Sequence, residues 1–509
     1  VTPVISALTF SAAQKFGDKS AVTVVDGNTL TFMEIDRHAA CLAGGLARIG
    51  IGRGDGVILH LPNGWEWVVA YHAIARLGAV VVPVNILQTT AELAFIAADS
   101  AARAAFVPAD RVAAIADSAG VPSLKLIALG ATAADAVSFG QLLDSSPCEP
   151  VSVSPEDLWT IAYTSGTSGR PKGAMLAHRA VFESAMMTAT IHVRHRSDRV
   201  LTALPFAHVY GNIVLNAAFL AGCHIVAMQR FDAGAAIELI ARERITLFEG
   251  VPTMYYQMLA LPGTAAADFT NLTRCTVGGQ TMPIEKIDEI VRRFGCPLLE
   301  LWGMTELAGP AATHAMYWPP RHGSVGRMFP NMEARVADLN DSSKTAPNGT
   351  PGELTVRGPL VMRGYWNNPE ATAEALSADG WLKTGDIAVT DEEGYLSIID
   401  RRKDMIVTAG YKVYPAELER VVALHPAVSM TAVIPVKDLE KGEIAKAVVV
   451  LKPGGVCTTE ELAAHCRQHL AAYKVPRLIV FADDLPKTST GKILRRALRN
   501  DAADKRGVP

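Results

Sequence analysis

No stretch of this chain is both long and uniformly apolar. The most hydrophobic run, Ile213 to Met228, is broken by Asn216, Gly222 and His224, and the first residues lack the basic flank and apolar core of a secretory signal. A transmembrane segment is therefore not expected, and the chain reads as cytoplasmic. An excess of one charge is missing too: 48 Lys+Arg stand against 51 Asp+Glu, with no block of five like charges. That balance argues against a nucleic-acid partner and against a disordered charged tail. Cysteine is sparse and scattered, seven residues with no C-x-x-C pair and no accompanying H-E-x-x-H. They read as reduced thiols, not as a disulfide framework or a zinc site.

What is present is length and rhythm. At about 150 residues per domain, a chain of 509 residues with 49% hydrophobic content predicts roughly three folding units. From Thr31, amphipathic stretches alternate with short apolar runs: Met33 to Ile49 then Val57 to Leu61, Gly64 to Leu77 then Ala79 to Val84, and Ala91 to Ala98 then Ala104 to Val107. Fully apolar runs between helices imply parallel strands covered on both faces. The rhythm resumes after Leu158, with a strand into Tyr163 and further strands at Val200 to Leu204, His224 to Met228, Thr246 to Gly250, Arg274 to Val277 and Leu298 to Leu301, and is read as a second doubly wound layer. After Gly326, short alternating runs separated by Gly, Pro, Asn and Asp predict a small antiparallel barrel or sandwich. The polar cluster Asp400-Arg401-Arg402-Lys403-Asp404 is taken as the boundary to a compact α+β unit, giving domains at 1–402 and 403–509.

The most informative segment lies between the strand ending near Tyr163 and a helix beginning near His178: Thr164-Ser165-Gly166-Thr167-Ser168-Gly169-Arg170-Pro171-Lys172-Gly173. Glycines allow backbone N–H groups to approach an anion, hydroxyls add donors and a lysine adds charge, so the natural ligand is a polyphosphate. The spacing is not that of a Walker A loop, and Gly50-Ile51-Gly52-Arg53-Gly54-Asp55 fails the dinucleotide fingerprint.

With this loop, four further segments complete a pattern: Leu204-Pro205-Phe206-Ala207-His208, Leu301-Trp302-Gly303-Met304-Thr305-Glu306, Trp381-Leu382-Lys383-Thr384-Gly385-Asp386, and Pro486-Lys487-Thr488-Ser489-Thr490-Gly491-Lys492. In this order they resemble the adenylate-forming superfamily of acyl-CoA synthetases, adenylation domains and luciferases. The resemblance implies a large α/β N-terminal domain of two doubly wound subdomains plus a small β-barrel, followed by a small mobile α+β domain. It also implies a two-step ligase using ATP, Mg²⁺ and coenzyme A: a carboxylate and ATP give an acyl adenylate and pyrophosphate, then a thiol displaces AMP. A homodimer is left open.

By the same resemblance, the loop from Thr164 through Ser165, Gly166, Thr167, Ser168 and Gly169 to Lys172 holds the β- and γ-phosphates. Thr305 meets the α-phosphate and Glu306 is the Mg²⁺ ligand. Gly279, Gln280, Glu300, Leu301, Trp302 and Gly303 surround adenine, with Trp302 where the family usually has tyrosine and Glu300 where glutamine is commoner. Asp386 takes the ribose hydroxyls, with Arg401 on the ribose or phosphate. Lys492 bridges carboxylate and α-phosphate, Lys403 is the hinge, and Gly410, Tyr411 and Lys412 face coenzyme A. His208, Val209, Tyr210, Asn212, Gly278, Gln280 and Met304 line the acid's pocket, with His208 also a gate to the thiol tunnel. That lining is mostly neutral, so a medium- or long-chain aliphatic acid is expected. A hydroxycinnamate, its hydroxyl on Tyr210, Asn212 or Gln280, is the alternative, and a carrier-protein-loading enzyme a more distant one.

Overall fold

The structure, a computed structural model, describes residues 3–117, 124–130, 135–164, 171–438, 440–487, 493–495 and 497–499. The chain divides into two units, one of residues 1–333 and 356–382, the other of 334–355 and 383–509.

The first unit holds two sheets. In one, strands Val137–Ser138, Lys125–Leu129, Ala104–Pro108, Gly56–Leu59, Val80–Pro83, Leu158–Thr164 and Lys172–Ala177 lie side by side in that order. All neighbours are parallel except the last pair. The other runs Arg327–Met328, Gly309–Thr313, Leu298–Met304, Arg274–Gly278, Leu247–Gly250, Arg199–Thr202, His224–Ala227, Ser20–Val24 and Thr29–Thr31. Its six central strands are parallel. The central strands are buried along their whole length, as at Gly56–Leu59 and Leu247–Gly250, because helices cover both faces. Local chemistry sets the helix starts. Thr31 and Glu34 form a reciprocal capping box before helix Phe32–Arg48, and Thr89 and Glu92 form another before Thr90–Asp99.

Two sequence expectations change, and one strand that the sequence did not announce joins the second sheet. Leu158–Thr164 pairs with Val80–Pro83 and so extends the first sheet, although the resumed rhythm placed it in the second layer. Ser20–Val24, which precedes the regular rhythm, crosses over to pair with His224–Ala227 in the other sheet. Periodicity reports that a strand is buried, not which neighbour buries it. The glycine-rich segment is not followed directly by the helix: Lys172–Ala177 is an antiparallel strand, with Thr164 opposite Lys172 and Tyr163 opposite Gly173, so the strands that flank the segment pair as a hairpin. Along the outer edge of that hairpin lies a strip from the far side of the sequence. Met175 N–H donates to Gly364 O, Arg363 N–H to Met175 O and Trp366 N–H to Gly173 O.

The second unit carries most of a four-stranded sheet, in the order Glu333–Ala337, Gly352–Arg357, Leu382–Thr390 and Leu396–Arg401, where a barrel or sandwich was expected. Its C-terminal part is a five-stranded sheet built on the long antiparallel pair Val428–Asp438 and Gly442–Leu451, with helices Pro415–Ala423 and Thr459–His469. Leu418, Val421, Val422, Val433, Ala447, Val449 and Leu462 form its core.

Candidate active site

Parallel sheets offer ligand sites at the carboxyl ends of their strands, where chain order reverses. In the nine-stranded sheet the reversal falls between Arg199–Thr202 and Leu247–Gly250, since the chain leaves one towards His224–Ala227 and the other towards Arg274–Gly278. Residues 203–208 leave the first of these strands into that crevice, and helix Val209–Ala221 follows. His208 caps the helix, its Nδ1 accepting from Tyr210 N–H at 3.3 Å. Gly211 is needed there, because a Cβ would lie 2.3 Å from the Pro205 carbonyl oxygen.

A residue with no motif to announce it holds this turn. Asn63 follows strand Gly56–Leu59 of the other sheet and is 6% exposed. Its amide donates to Leu204 O at 2.9 Å and Met228 O at 3.4 Å, and its carbonyl accepts from Phe206 N–H at 2.9 Å. Each polar function of the side chain is spent on tying the two sheets together at the Pro205–His208 turn.

Two of the expected pocket residues are engaged elsewhere. The Asn212 carbonyl accepts from the Tyr71 hydroxyl at 3.1 Å and from the Asn216 amide at 2.9 Å. The Tyr210 hydroxyl lies 2.6 Å from Thr276 Oγ1, in a buried setting. Val209 and Gln280 are half-buried, and Gly279 is exposed with φ of 91°. Gly278 presses on Leu301, where a Cβ would lie 2.3 Å from Cδ1. The carboxyl of Glu300 is buried, which pushes its pKa up against the opposing pull of His322, and it accepts from Gly323 N–H at 3.2 Å. Trp302 is 7% exposed, whereas Gly303, Met304 and Thr305 are half-buried.

Strand Leu298–Met304 turns back antiparallel into Gly309–Thr313 through one short turn at Thr305–Leu307, ended by Ala308 with φ of 57°. Glu306 therefore sits at a hairpin tip. Gly303 makes the hairpin possible: a Cβ there would stand 2.0 Å from Gly309 O. Glu306 is 7% exposed, and its Oε1 accepts from the Tyr365 hydroxyl at 2.8 Å. Burial, then the Glu306 charge, pushes the Tyr365 phenol far up, so it stays a donor. Lys172 Nζ lies 5.3 Å from the centre of the same ring. Tyr365 thus links strand Lys172–Ala177 to the hairpin tip, its hydrogen bond to Glu306 spanning 59 residues that no local pattern signals. Ser165, Gly166, Thr167, Ser168 and Gly169 lie outside the described residues, as does Lys492.

In the second unit, Asp386 is 2% exposed and its Oδ1 lies 2.7 Å from Arg401 Nε, so two residues expected separately are an ion pair across neighbouring strands. Lys403 is exposed between two buried carboxylates. Asp404 pairs with Arg499 at 2.6 Å, and Asp400 accepts from Ala416 N–H at 2.8 Å at the start of helix Pro415–Ala423. Burial raises the Asp400 pKa to about 6. Ala409 and Gly410 have φ of 47° and 84°, a two-residue turn between strands Ile406–Thr408 and Tyr411–Val413. Tyr411, exposed, stacks on Tyr473 at 4.6 Å, and Lys412 Nζ reaches Asn340 Oδ1 at 3.3 Å.

A doubly wound pair of sheets with a buried carboxylate at a hairpin tip is the frame on which the comparisons with known proteins bear, and they make the chain an AMP-forming acid–thiol ligase. The chain belongs to the adenylate-forming superfamily: residues 9–366 match the AMP-binding enzyme family and 417–492 the AMP-binding enzyme C-terminal domain. It is 34% identical to the long-chain-fatty-acid–CoA ligase of Bacillus subtilis, over 98% of this chain and 94% of that protein. It is 36% identical to 4-coumarate–CoA ligase 5 of Oryza sativa, over 95% of this chain and 91% of that protein. Among solved structures, ATP-bound MatB from Rhodopseudomonas palustris matches with a TM-score of 0.92 at 29% identity, over 99% of this chain and 100% of that chain. Among the described residues no helix is long and apolar enough to cross a membrane.

Proposed function

We propose that this enzyme activates a medium- or long-chain aliphatic carboxylic acid with ATP and Mg²⁺ and transfers the acyl group to coenzyme A. A carboxylate is a poor electrophile, so adenylation needs in-line positioning and charge stabilisation at phosphorus. On this reading residues 164–169 and Lys172 hold the phosphates, Thr305 the α-phosphate, Gly279, Gln280, Glu300, Leu301, Trp302 and Gly303 the adenine, and Asp386 with Arg401 the ribose. Glu306 is a suitable Mg²⁺ ligand: Mg²⁺ is commonly held by one or two carboxylates plus substrate phosphates, and Tyr365 occupies only one of the carboxylate's acceptor sites. Lys492 serves adenylation, and domains 1–402 and 403–509 exchange faces about Lys403 so that Gly410, Tyr411 and Lys412 serve thioester formation.

One observation favours the aliphatic acid: Tyr210 and Asn212, which would recognise a phenolic hydroxyl, already have internal hydrogen-bond partners. A phenolic hydroxyl donating to the Asn212 carbonyl or drawing on the Tyr210 proton would compete with those bonds, whereas an aliphatic chain needs no such partner. The hydroxycinnamate reading draws support from the 36% identity to the Oryza ligase and from half-buried Gln280. Pyrophosphate release over octanoate, palmitate, benzoate and ferulate, with and without coenzyme A, tests the choice. Preference for octanoate or palmitate with coenzyme A-dependent thioester is expected; preference for ferulate or benzoate overturns the aliphatic reading.

A further inference from the structure

Below the Pro205–His208 turn lies a charged pair without access to water. Glu249, on strand Leu247–Gly250 beside the crevice, and Arg194 are both 0% exposed at the side chain and form an ion pair. Such a pair is weak evidence for stability, since apolar residues of similar volume often serve as well, and its better-attested use is to fix register. Here it has something to fix. Arg194 Nη1 donates to Val214 O at 3.3 Å, one turn beyond Tyr210 on helix Val209–Ala221. The other oxygen of the carboxylate, Oε2, accepts from Thr276 Oγ1 at 2.9 Å. That spends the only proton of Thr276, so across the 2.6 Å contact Tyr210 is the donor and Thr276 the acceptor. The chain of donors runs Tyr210 to Thr276 to Glu249, while the guanidinium grips the helix that carries Tyr210.

We infer that Glu249, acting through Thr276, is a positioning residue that locks the Tyr210 ring in one orientation and so sets how long an acid the site accepts. The inference rests on the acid-activating reading above, in which Tyr210 borders the acid's pocket. Burial and the Glu249 charge also keep the Tyr210 phenol protonated, as a donor must be. With the link intact the ring is a fixed wall. With the link cut, the hydroxyl must seek another partner, the ring leaves its place and longer acids fit.

Glu249→Ala would strand Arg194 in the interior and is expected to unfold the chain, so the test uses Thr276→Val, which keeps the ion pair and the side-chain shape but removes the acceptor. For Thr276→Val the ratio of kcat/KM for a longer over a shorter acid should rise about tenfold, carried by KM, measured below the variant's lowered melting temperature where it remains folded. Tyr210→Phe should shift the ratio the same way, and the double variant should shift it no further. An unchanged ratio in Thr276→Val, or additive shifts in the double variant, overturns the inference. Should the wild type prefer aryl acids, the aliphatic reading falls on that panel alone. The same cycle is then read on para-alkyl benzoates of increasing length, where non-additive shifts support the inference and additive ones overturn it.

Discussion

The two parallel sheets of the first unit contain the same crevice and fill it differently. In the seven-stranded sheet the chain order reverses between Gly56–Leu59 and Ala104–Pro108. There His60 and Arg111, which follow those two strands, bridge the gap at 2.9 Å, and Arg111 also donates to Gln88 O at 2.9 Å. His60 is 0% exposed, so the crevice is closed by the protein's own side chains. In the nine-stranded sheet the corresponding crevice carries the Pro205–His208 turn and the helix with Tyr210. One architecture gives a sealed site and a candidate reactive one, which shows that topology offers a place and side chains decide its use. On the proposed reading the seven-stranded sheet contributes instead from its edge, through the hairpin of Leu158–Thr164 and Lys172–Ala177.

The comparison can be broken most forcefully from outside both sheets. If chemistry occurs at the nine-stranded crevice as proposed, Lys492→Ala should slow pyrophosphate release about a thousandfold, the worth of one unit charge near 4 Å at an effective dielectric of about 20. Thioester formation from a pre-made acyl adenylate should be largely retained, and equal loss of both steps in a rapid-mixing assay would contradict the division of labour. Next in size is Asn63→Ala, which removes three hydrogen bonds between the crevices. We expect about 2–4 kcal/mol of lost stability by denaturant titration, together with a fall in kcat that persists at temperatures where the variant is folded. Full activity in the folded variant would mean that the turn does not need its tie.

A smaller effect is expected from Tyr365→Phe, which takes the hydroxyl from Glu306. Adenylation should drop about tenfold, with a shifted Mg²⁺ dependence, as for a removed partner of a metal-ligating group; an unaltered Mg²⁺ titration would separate Tyr365 from the site. The smallest change in turnover belongs to the sealed crevice. His60→Gln should leave kcat/KM within about threefold while altering acid stability. Burial first, and Arg111 second, depress the His60 pKa to about 4 from 6.5. Its neutral form is therefore favoured by the fold. The stability at stake is fully present above about pH 6.5 and is lost as pH falls through about 4, by at most about 3 kcal/mol. Subtracting the His60→Gln pH profile from the wild-type one isolates this histidine from the other buried ones, and identical profiles would refute its assignment.

How far the sequence discloses this arrangement depends on the range over which each residue acts. Buried parallel strands and amphipathic helices are local patterns, so Gly56–Leu59, Val80–Pro83 and Arg274–Gly278 fall where periodicity places them. Sheet membership is not local: Leu158–Thr164 and Ser20–Val24 are both buried strands, and only their partners tell which sheet they join. Lys172–Ala177 was hidden between a glycine-rich loop and a helix, since its edge is covered by residues almost two hundred positions away. Lys172, His208, Thr305 and Glu306 stood out as candidates because the motifs that carry them are concentrated in short runs. Asn63 and Tyr365 were not, because each is a single polar residue whose importance lies in partners 59 to 165 positions distant. Asp386 and Arg401 were each visible, but their pairing needed the register of two strands.

The strip at residues 363–366 covers the outer edge of strand Lys172–Ala177, and an uncovered edge strand is a template for another chain. Peeling this strip away would expose the Lys172–Ala177 backbone to a neighbouring molecule, so the same few residues that bring Tyr365 to Glu306 also guard against aggregation. Loss of activity and loss of colloidal behaviour on mild heating should therefore begin at the same place in the chain.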